Sequence, residues 1–95
     1  MYISIRKYRL KRSEPEVREA VMAGLVPILK GSPGFQAYWI INCTDGDIAG
    51  VSIFDTESNA HAATERTLAW VNAHIRELVV PPPDAMFGGE AHQVV

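Results

Sequence analysis

Hydrophobic and polar residues alternate over the first positions of the chain. The alternation gives two sets of positions, one with the isoleucines and one with most of the polar side chains: Ile3, Ile5 and Lys7, against Tyr2, Ser4, Arg6 and Tyr8. A period of two residues is typical of a β-strand. The pattern therefore predicts a first strand that ends near Leu10.

A helix is predicted after this strand. Ser13-Glu14-Pro15-Glu16 is typical of a helix start, because the serine can accept from a first-turn N–H, the second glutamate can reach back, and proline is tolerated there. Gly31-Ser32-Pro33-Gly34 is expected to end the helix, and Pro27 to kink it or end it early. Apolar residues between these points recur close to helical spacing: Val17, Ala20, Val21, Met22, Leu25, Ile28 and Leu29.

Residues 35–43 and 48–54 are predicted to form a β-hairpin. Both segments are rich in aromatic and β-branched residues, and Thr44-Asp45-Gly46-Asp47 supplies the turn, with a glycine for positive φ. The first arm is apolar on both parities, which predicts a strand covered on both faces. The two sets are Phe35, Ala37, Trp39 and Ile41, against Tyr38 and Ile40.

A long apolar stripe predicts a second helix. It begins after the capping side chains of Asp55-Thr56-Glu57-Ser58 and runs to about Val79, where three prolines end it. Residues 86–95 are predicted as the last strand, in which Gly88-Gly89 indicates a bulge or a close backbone approach. The stripe consists of Ala60, Ala63, Thr64, Thr67, Val71, His74, Ile75 and Leu78.

The order β-α-β-β-α-β predicts one α+β domain over residues 1–95 with the ferredoxin-like fold, an antiparallel sheet with both helices on one face. The other face then lacks a cover, although the second strand is apolar on both sides. The simplest cover is a second copy of the same sheet, related by a two-fold axis. The sequence therefore predicts a homodimer.

Composition and charge narrow the range of partners. Lys+Arg 9 and Asp+Glu 11 give a net charge of -2, which supplies no field to attract nucleic acid or an anionic membrane. Neither is predicted as a partner. Cys43 is the only cysteine and cannot form an internal disulfide, and the first residues lack the order of an export signal. A cytoplasmic location is predicted.

Five basic residues cluster near the end of the first strand. On a strand they divide between the two faces, which favours a solvated strand end over a patch for RNA or an anionic ligand. The cluster consists of Arg6, Lys7, Arg9, Lys11 and Arg12.

Several short motifs resemble the antibiotic biosynthesis monooxygenase-like family of dimeric α+β barrels. They are Gly34-Phe35-x-x-Tyr38, Ser52-Ile53-Phe54-Asp55, Ala60 and Ala63 with Trp70-Val71, and Gly89-Glu90. The resemblance implies a dimer whose two sheets form a barrel, with a pocket in each subunit between sheet and helices. It also implies, where members are enzymes, oxygenation of aromatic polyketides or quinol-like substrates by molecular oxygen, with no metal or flavin cofactor.

A heme-degrading branch of the family carries an asparagine on the first strand, and a tryptophan and a histidine well separated around the second helix. This chain has no asparagine on its first strand, and the residue ten positions beyond Trp70 is Val80. The comparison argues against heme chemistry.

Trp70 and His74 are the first candidates for a site. A spacing of four places them about 40° apart on one side of a helix. His74, as a neutral imidazole beside an indole, could accept a phenolic proton and generate the anion that reacts with oxygen. The alternative is a core histidine bonded to a carbonyl, with Trp70 as packing.

The hairpin contributes further candidates. Tyr38, Phe54 and Trp70 are predicted as aromatic walls of a substrate site, and Asn42 or Ser52 as the hydrogen-bond donor for developing oxyanion charge. The alternatives are a capped hairpin end for Asn42 and a satisfied strand hydroxyl for Ser52. No metal site is predicted, because the histidines have a glutamate at helical spacing but no third ligand.

The sequence thus predicts a homodimeric monooxygenase of small aromatic or hydrophobic molecules that works without a cofactor. A non-catalytic ligand-binding or stress-related dimeric module of the same fold is the alternative. A purely structural dimer with a filled core is the third hypothesis, and it predicts no cavity and no thermal shift with aromatic compounds.

Overall fold

The computed structural model describes all 95 residues and confirms the ferredoxin-like α+β fold. The four strands pair antiparallel in the order β2-β3-β1-β4. None of the helices combines the length and apolar character that crossing a membrane requires. The elements are β1 (Tyr2–Tyr8), α1 (Glu14–Ala20), a π-helical turn (Val21–Leu25), α2 (Val26–Lys30), β2 (Phe35–Asn42), β3 (Ile48–Phe54), α3 (Glu57–His74) and β4 (Ala85–Glu90).

The first helical arm, residues 14–30, contains an irregularity just before Pro27, the residue that was predicted to kink the helix or end it early. Pro27 has no N–H to donate to the carbonyl four residues earlier, and its ring crowds that carbonyl. The backbone accommodates this with the π-helical turn just before it. Ser13 also departs from the predicted cap, because its hydroxyl accepts no backbone N–H and instead donates to the Glu16 carboxylate at 3.2 Å.

Two predicted boundaries are wrong. Helix α3 ends at His74 and not near Val79, because the following residues pair with the end of β1: Val80 N–H donates to the Arg9 carbonyl at 2.9 Å, and Lys11 N–H to the Leu78 carbonyl at 2.8 Å. Strand β4 ends at Glu90, opposite Tyr2, and one further backbone hydrogen bond follows, from the Ala91 N–H to the Met1 carbonyl at 2.8 Å.

The register of the sheet decides which side chains face the helices. One row across the four strands faces them and consists of Ile40, Gly50, Arg6 and Met86. The next row faces the open side and consists of Trp39, Val51, Ile5 and Phe87. On β1 the polar parity is thus covered by the helices, whereas the isoleucines lie on the uncovered face.

The core between sheet and helices is built around Phe54, which is completely buried. Its ring packs edge-on against Phe35 at 5.8 Å between centroids. Trp70 packs α3 against the first helical arm, where a Cβ at Gly24 would lie only 2.5 Å from the Trp70 ring. The chain therefore uses a glycine in the π-helical turn to seat an indole from α3.

Candidate functional site

A small cavity of about 30 Å³ lies between the sheet and the helices. Its lining is mostly apolar, from α1, the π-helical turn, α3 and the strands. The polar side chains in the lining are Arg6, Tyr8, Tyr38 and Thr67. The Thr67 hydroxyl already donates to the Ala63 carbonyl at 2.9 Å, which leaves the arginine and the two tyrosines as the distinctive groups.

Arg6 is a charged side chain in the interior, with 1% of its surface exposed. Its guanidinium donates to the Ser4 hydroxyl at 3.0 Å and to the Ser52 hydroxyl at 2.5 Å. No carboxylate forms an ion pair with it. Burial lowers the pKa of Arg6, and the neighbouring tyrosines Tyr38 and Tyr8 oppose this shift.

Tyr38 lies beside this guanidinium because Gly50 leaves room for it. Gly50 is opposite Arg6 in the sheet register, and a Cβ at Gly50 would lie 2.6 Å from the Tyr38 hydroxyl oxygen. Burial raises the pKa of Tyr38, and Arg6 acts in the opposite direction. Tyr38 is therefore a neutral phenol at neutral pH.

Tyr8 carries an unpaired hydroxyl. The residue is 7% exposed, and its buried hydroxyl has no hydrogen-bond partner. Burial raises the pKa of Tyr8 to about 12, with Arg6 opposing the shift. An unsatisfied buried hydroxyl costs about 1–3 kcal/mol, so the fold keeps this group at the expense of stability.

Replacing Tyr8 with phenylalanine is expected to stabilise the protein by about 1 kcal/mol at neutral pH, since the unpaired hydroxyl is removed. The difference in stability between variant and parent should grow at alkaline pH. Because the folded-state pKa of Tyr8 is raised from 10.0 to about 12, the phenol of the unfolded chain ionises first, so the parent loses further stability as the pH rises through this range and the variant does not. Urea unfolding at neutral and alkaline pH measures both effects, and a variant as alkali-sensitive as the parent would contradict the assignment.

A surface groove of about 400 Å³ adjoins the cavity. Tyr8 and Val71 line both spaces, so the cavity and the groove meet at these two residues. The outer groove is bounded by α3 and the proline segment that follows it: Leu68, Asn72, Arg76, Pro81, Pro82, Pro83 and Met86.

The predicted hairpin residues lie in different surroundings. Tyr38 lines the cavity, and the buried Ser52 accepts a hydrogen bond from Arg6. Phe54 is in the core and does not line the cavity. Asn42 is exposed at the end of β2.

Trp70 and His74 lie together but outside the cavity. Their ring centroids are 5.6 Å apart. Trp70 is buried against Gly24, whereas His74 is exposed at the last residue of α3. His61 is also exposed and lies near Tyr2, with 3.5 Å between its Nε2 and the phenol oxygen. No group of three His, Cys, Asp or Glu side chains is arranged to hold a metal ion.

The sequence analysis missed Arg6 and Tyr8 as site residues. The solvated strand end predicted for the basic cluster is wrong for Arg6, although Arg9, Lys11 and Arg12 are exposed. The available signal was parity, because Arg6 alternates with the isoleucines and shares its face with Ser4 and Tyr8. Arg6 can be recognised as a buried charge only once it is known that the helices cover the face of β1 that carries the polar residues.

Comparison with known proteins finds similarity in structure and not in sequence. No family model matches the chain, and no curated protein matches it. A monooxygenase from the gene ActVA-Orf6 of Streptomyces coelicolor, solved with nanaomycin D, is similar with a TM-score of 0.77 and 13% identity over 99% of this chain and 89% of that one.

Two further solved structures show the same likeness. SnoaB, a cofactor-independent oxygenase from Streptomyces nogalater, has a TM-score of 0.73 and 15% identity over 99% of this chain and 95% of its own. MhuD, solved with manganese protoporphyrin IX, has a TM-score of 0.72 and 15% identity over 100% of this chain and 98% of its own.

Other matching structures are assigned to the antibiotic biosynthesis monooxygenases. At these identities the likeness concerns the fold. The resemblance inferred from the short sequence motifs is confirmed at that level: the chain has the fold of the antibiotic biosynthesis monooxygenase-type proteins.

Proposed function

We propose that the protein is a homodimeric oxygenase that uses molecular oxygen, without a cofactor, on small aromatic molecules. The observation that carries the proposal is the apolar cavity with Arg6 and Tyr38 in its lining, which adjoins a groove large enough for an aromatic ring, on a fold shared with a cofactor-independent oxygenase. A largely apolar site with a few convergent polar groups is the usual form of a small-molecule site.

The proposed reaction is the oxidation of an aromatic substrate by O2, which an apolar site with donors for a negatively charged oxygen can support. An aromatic substrate with a phenol or enol next to an activated CH2 can be oxidised at that carbon to a carbonyl. One atom of O2 forms the new C=O bond, and the other leaves as water with the two hydrogens. The carbon gives up four electrons and O2 accepts four, so the substrate itself is the reductant.

The residues' roles follow from charge and hydrogen bonding. The Arg6 guanidinium and the Tyr38 hydroxyl can donate to the oxygen on which negative charge develops, and fixed donors in a water-poor site stabilise such charge strongly. Ser52 and Ser4, which accept from the guanidinium, hold it in position.

The dimer is proposed from the open face of the sheet. Trp39 and Phe87, at the two ends of one row across the sheet, are 54% and 62% exposed. An exposed apolar sheet face is typical of an interaction surface, and a two-fold related copy would present the same residues to it.

Oxygen uptake tests the proposed activity. With hydroxylated anthrone-type and quinol compounds, purified protein is expected to consume oxygen and to transfer one atom from isotopically labelled O2 to the product. Arg6→Met should lower turnover by about 100- to 1000-fold, as the loss of an oxyanion donor does elsewhere. Arg9→Met, at an exposed position beyond the same strand, is the matched control. Binding of these compounds without oxygen uptake would favour the non-catalytic ligand-binding module.

The base role of His74 stays a prediction, and its exposed position outside the cavity does not support it. His74→Ala decides the question in the same assay. Loss of turnover in a variant with unchanged oligomeric state would support the role, and unchanged turnover would remove it.

A further inference from the structure

We propose that the site binds its aromatic ligand as a monoanion, with a ring-borne oxyanion held by Arg6 and Tyr8 and the ring in the groove beside Pro81, Pro82 and Pro83. The inference rests on the proposed function for the aromatic nature of the ligand. Its charge and its position follow from the residues themselves.

The buried charge of Arg6 indicates that the ligand is an anion. A buried cation without a counter-ion is expensive, and proteins ordinarily pair such groups with a carboxylate. Arg6 is 1% exposed and has no acidic partner, and its hydrogen-bonded neighbours Ser4 and Ser52 are neutral. The charge-compensating group is therefore expected to come with the ligand, as one negative charge.

Arg6 and Tyr8 both have hydrogen-bonding groups without a partner. A guanidinium has five N–H donors; the two serine hydroxyls accept two of them, and even with the neighbouring Tyr38 hydroxyl as a third acceptor donors are left over. The buried hydroxyl of Tyr8, in the same lining, has no partner at all. An anionic oxygen that accepts from both side chains would satisfy the phenol and the cation together, whereas a neutral apolar ligand would satisfy neither.

The sizes of the cavity and the groove indicate where each part of the ligand would lie. A water molecule needs about 10–15 Å³ of space measured in this way, so the cavity of about 30 Å³ has room for an oxygen substituent and not for a ring. The groove of about 400 Å³ is large enough for a ring. Tyr8 and Val71, which line both spaces, are where a ligand would cross from one to the other.

The groove is consistent with an anionic aromatic ligand. Leu68, Met86 and the prolines offer apolar contact, and no acidic side chain lines the groove. Its one charged residue is Arg76, which forms no ion pair. Phenolates and aromatic carboxylates share the required chemistry, and the choice of probes separates them.

Calorimetric titration with paired probes tests the inference independently of turnover. The pairs are 4-nitrophenolate with 4-nitroanisole, and benzoate with benzamide, at a pH where the acids are ionised. The parent protein is expected to bind at least one anion about 10-fold or more tightly than its neutral partner. The anion that binds more tightly shows whether the ligand is a phenolate or an aromatic carboxylate.

The variants assign the effect to Arg6 and Tyr8. Arg6→Met should weaken anion binding by about 100-fold and leave the neutral probe unchanged, and Tyr8→Phe should weaken anion binding by about 5- to 10-fold. Arg9→Met should match the parent. If Arg6→Met unfolds, Arg6→Lys keeps the charge and still loses the fork geometry, so an intermediate loss is expected.

Equal affinity of the parent for anions and neutral partners, no anion binding at all, or anion binding unaffected by the Arg6 and Tyr8 substitutions would overturn the inference. Arg6-dependent anion binding without oxygen uptake would support it and contradict the proposed oxygenase activity. The two failures are thus distinguishable.

Discussion

Trp39→Glu is expected to convert the proposed homodimer into a monomer that keeps its fold. Trp39 is 54% exposed in the single chain, so a glutamate there remains solvated when the chain is alone. In a two-fold interface each copy would bury one unpaired carboxylate, and each such burial costs several kcal/mol. The dissociation constant should rise by at least about 100-fold.

Met22→Glu is the matched control, because Met22 is 61% exposed on the helical layer and not on the open face of the sheet. Light scattering coupled to size exclusion measures the mass, and circular dichroism checks the fold. A monomeric Met22→Glu variant, or a dimeric Trp39→Glu variant, would place the interface elsewhere.

Gly34→Ala is expected to destabilise the chain by about 3 kcal/mol, the sum of backbone strain and steric conflict. Gly34 has a φ of 76°, a conformation that an alanine adopts at a cost. A Cβ there would also lie 1.9 Å from an Asp55 carboxylate oxygen. That carboxylate accepts from the Asn59 side chain at 2.8 Å, so it cannot move without breaking a contact that supports the start of α3.

Gly46→Ala separates the two causes. Gly46 has a φ of 91° but nothing within 4 Å of its Cβ position. This variant should therefore lose stability only through backbone strain, by about 1 kcal/mol. At about 4–8 °C per kcal/mol for a domain of this size, thermal unfolding should resolve the variants easily. Equal losses at both glycines would show that Asp55 moves aside without cost.

The order of elements could be read from the sequence because each relies on local signals. The hairpin 35–54 contains β-branched runs around a glycine turn, and Ser13 and Thr56 both precede helix starts, although only the Thr56 hydroxyl accepts a backbone N–H. These signals depend on neighbours a few residues away. They are therefore visible without any knowledge of packing.

The site could be read only in part because it depends on which face of β1 is covered. Ile3 and Ile5 suggest by hydrophobicity that their face is the core, yet the helices cover Ser4, Arg6 and Tyr8. Hydrophobicity alone cannot distinguish a face buried by helices from a face left for another chain. Tyr38 and Ser52 could be predicted from the sequence because the hairpin turn sets the register of β2 and β3, in which these two residues are opposite each other. Their neighbour Arg6 lies on β1 and could not be predicted in this way.

The helical arm shows a similar limit. Val17, Val21, Leu25 and Leu29 are all buried and lie four residues apart. In a regular α-helix such a spacing drifts by about 40° at each step, so the set would leave the core. The wider π-helical turn brings the four side chains back into line.

A π-helical turn closes its ring with one more residue than an α-helical turn. An alignment of this chain with a relative that has a regular helix here consequently needs a one-residue gap between positions 21 and 25. Without that gap, every residue of α1 is compared with a neighbour rotated by about 100° around the helix axis. Searches for distant relatives of this chain should therefore treat residues 14–20 and 26–30 as separate blocks.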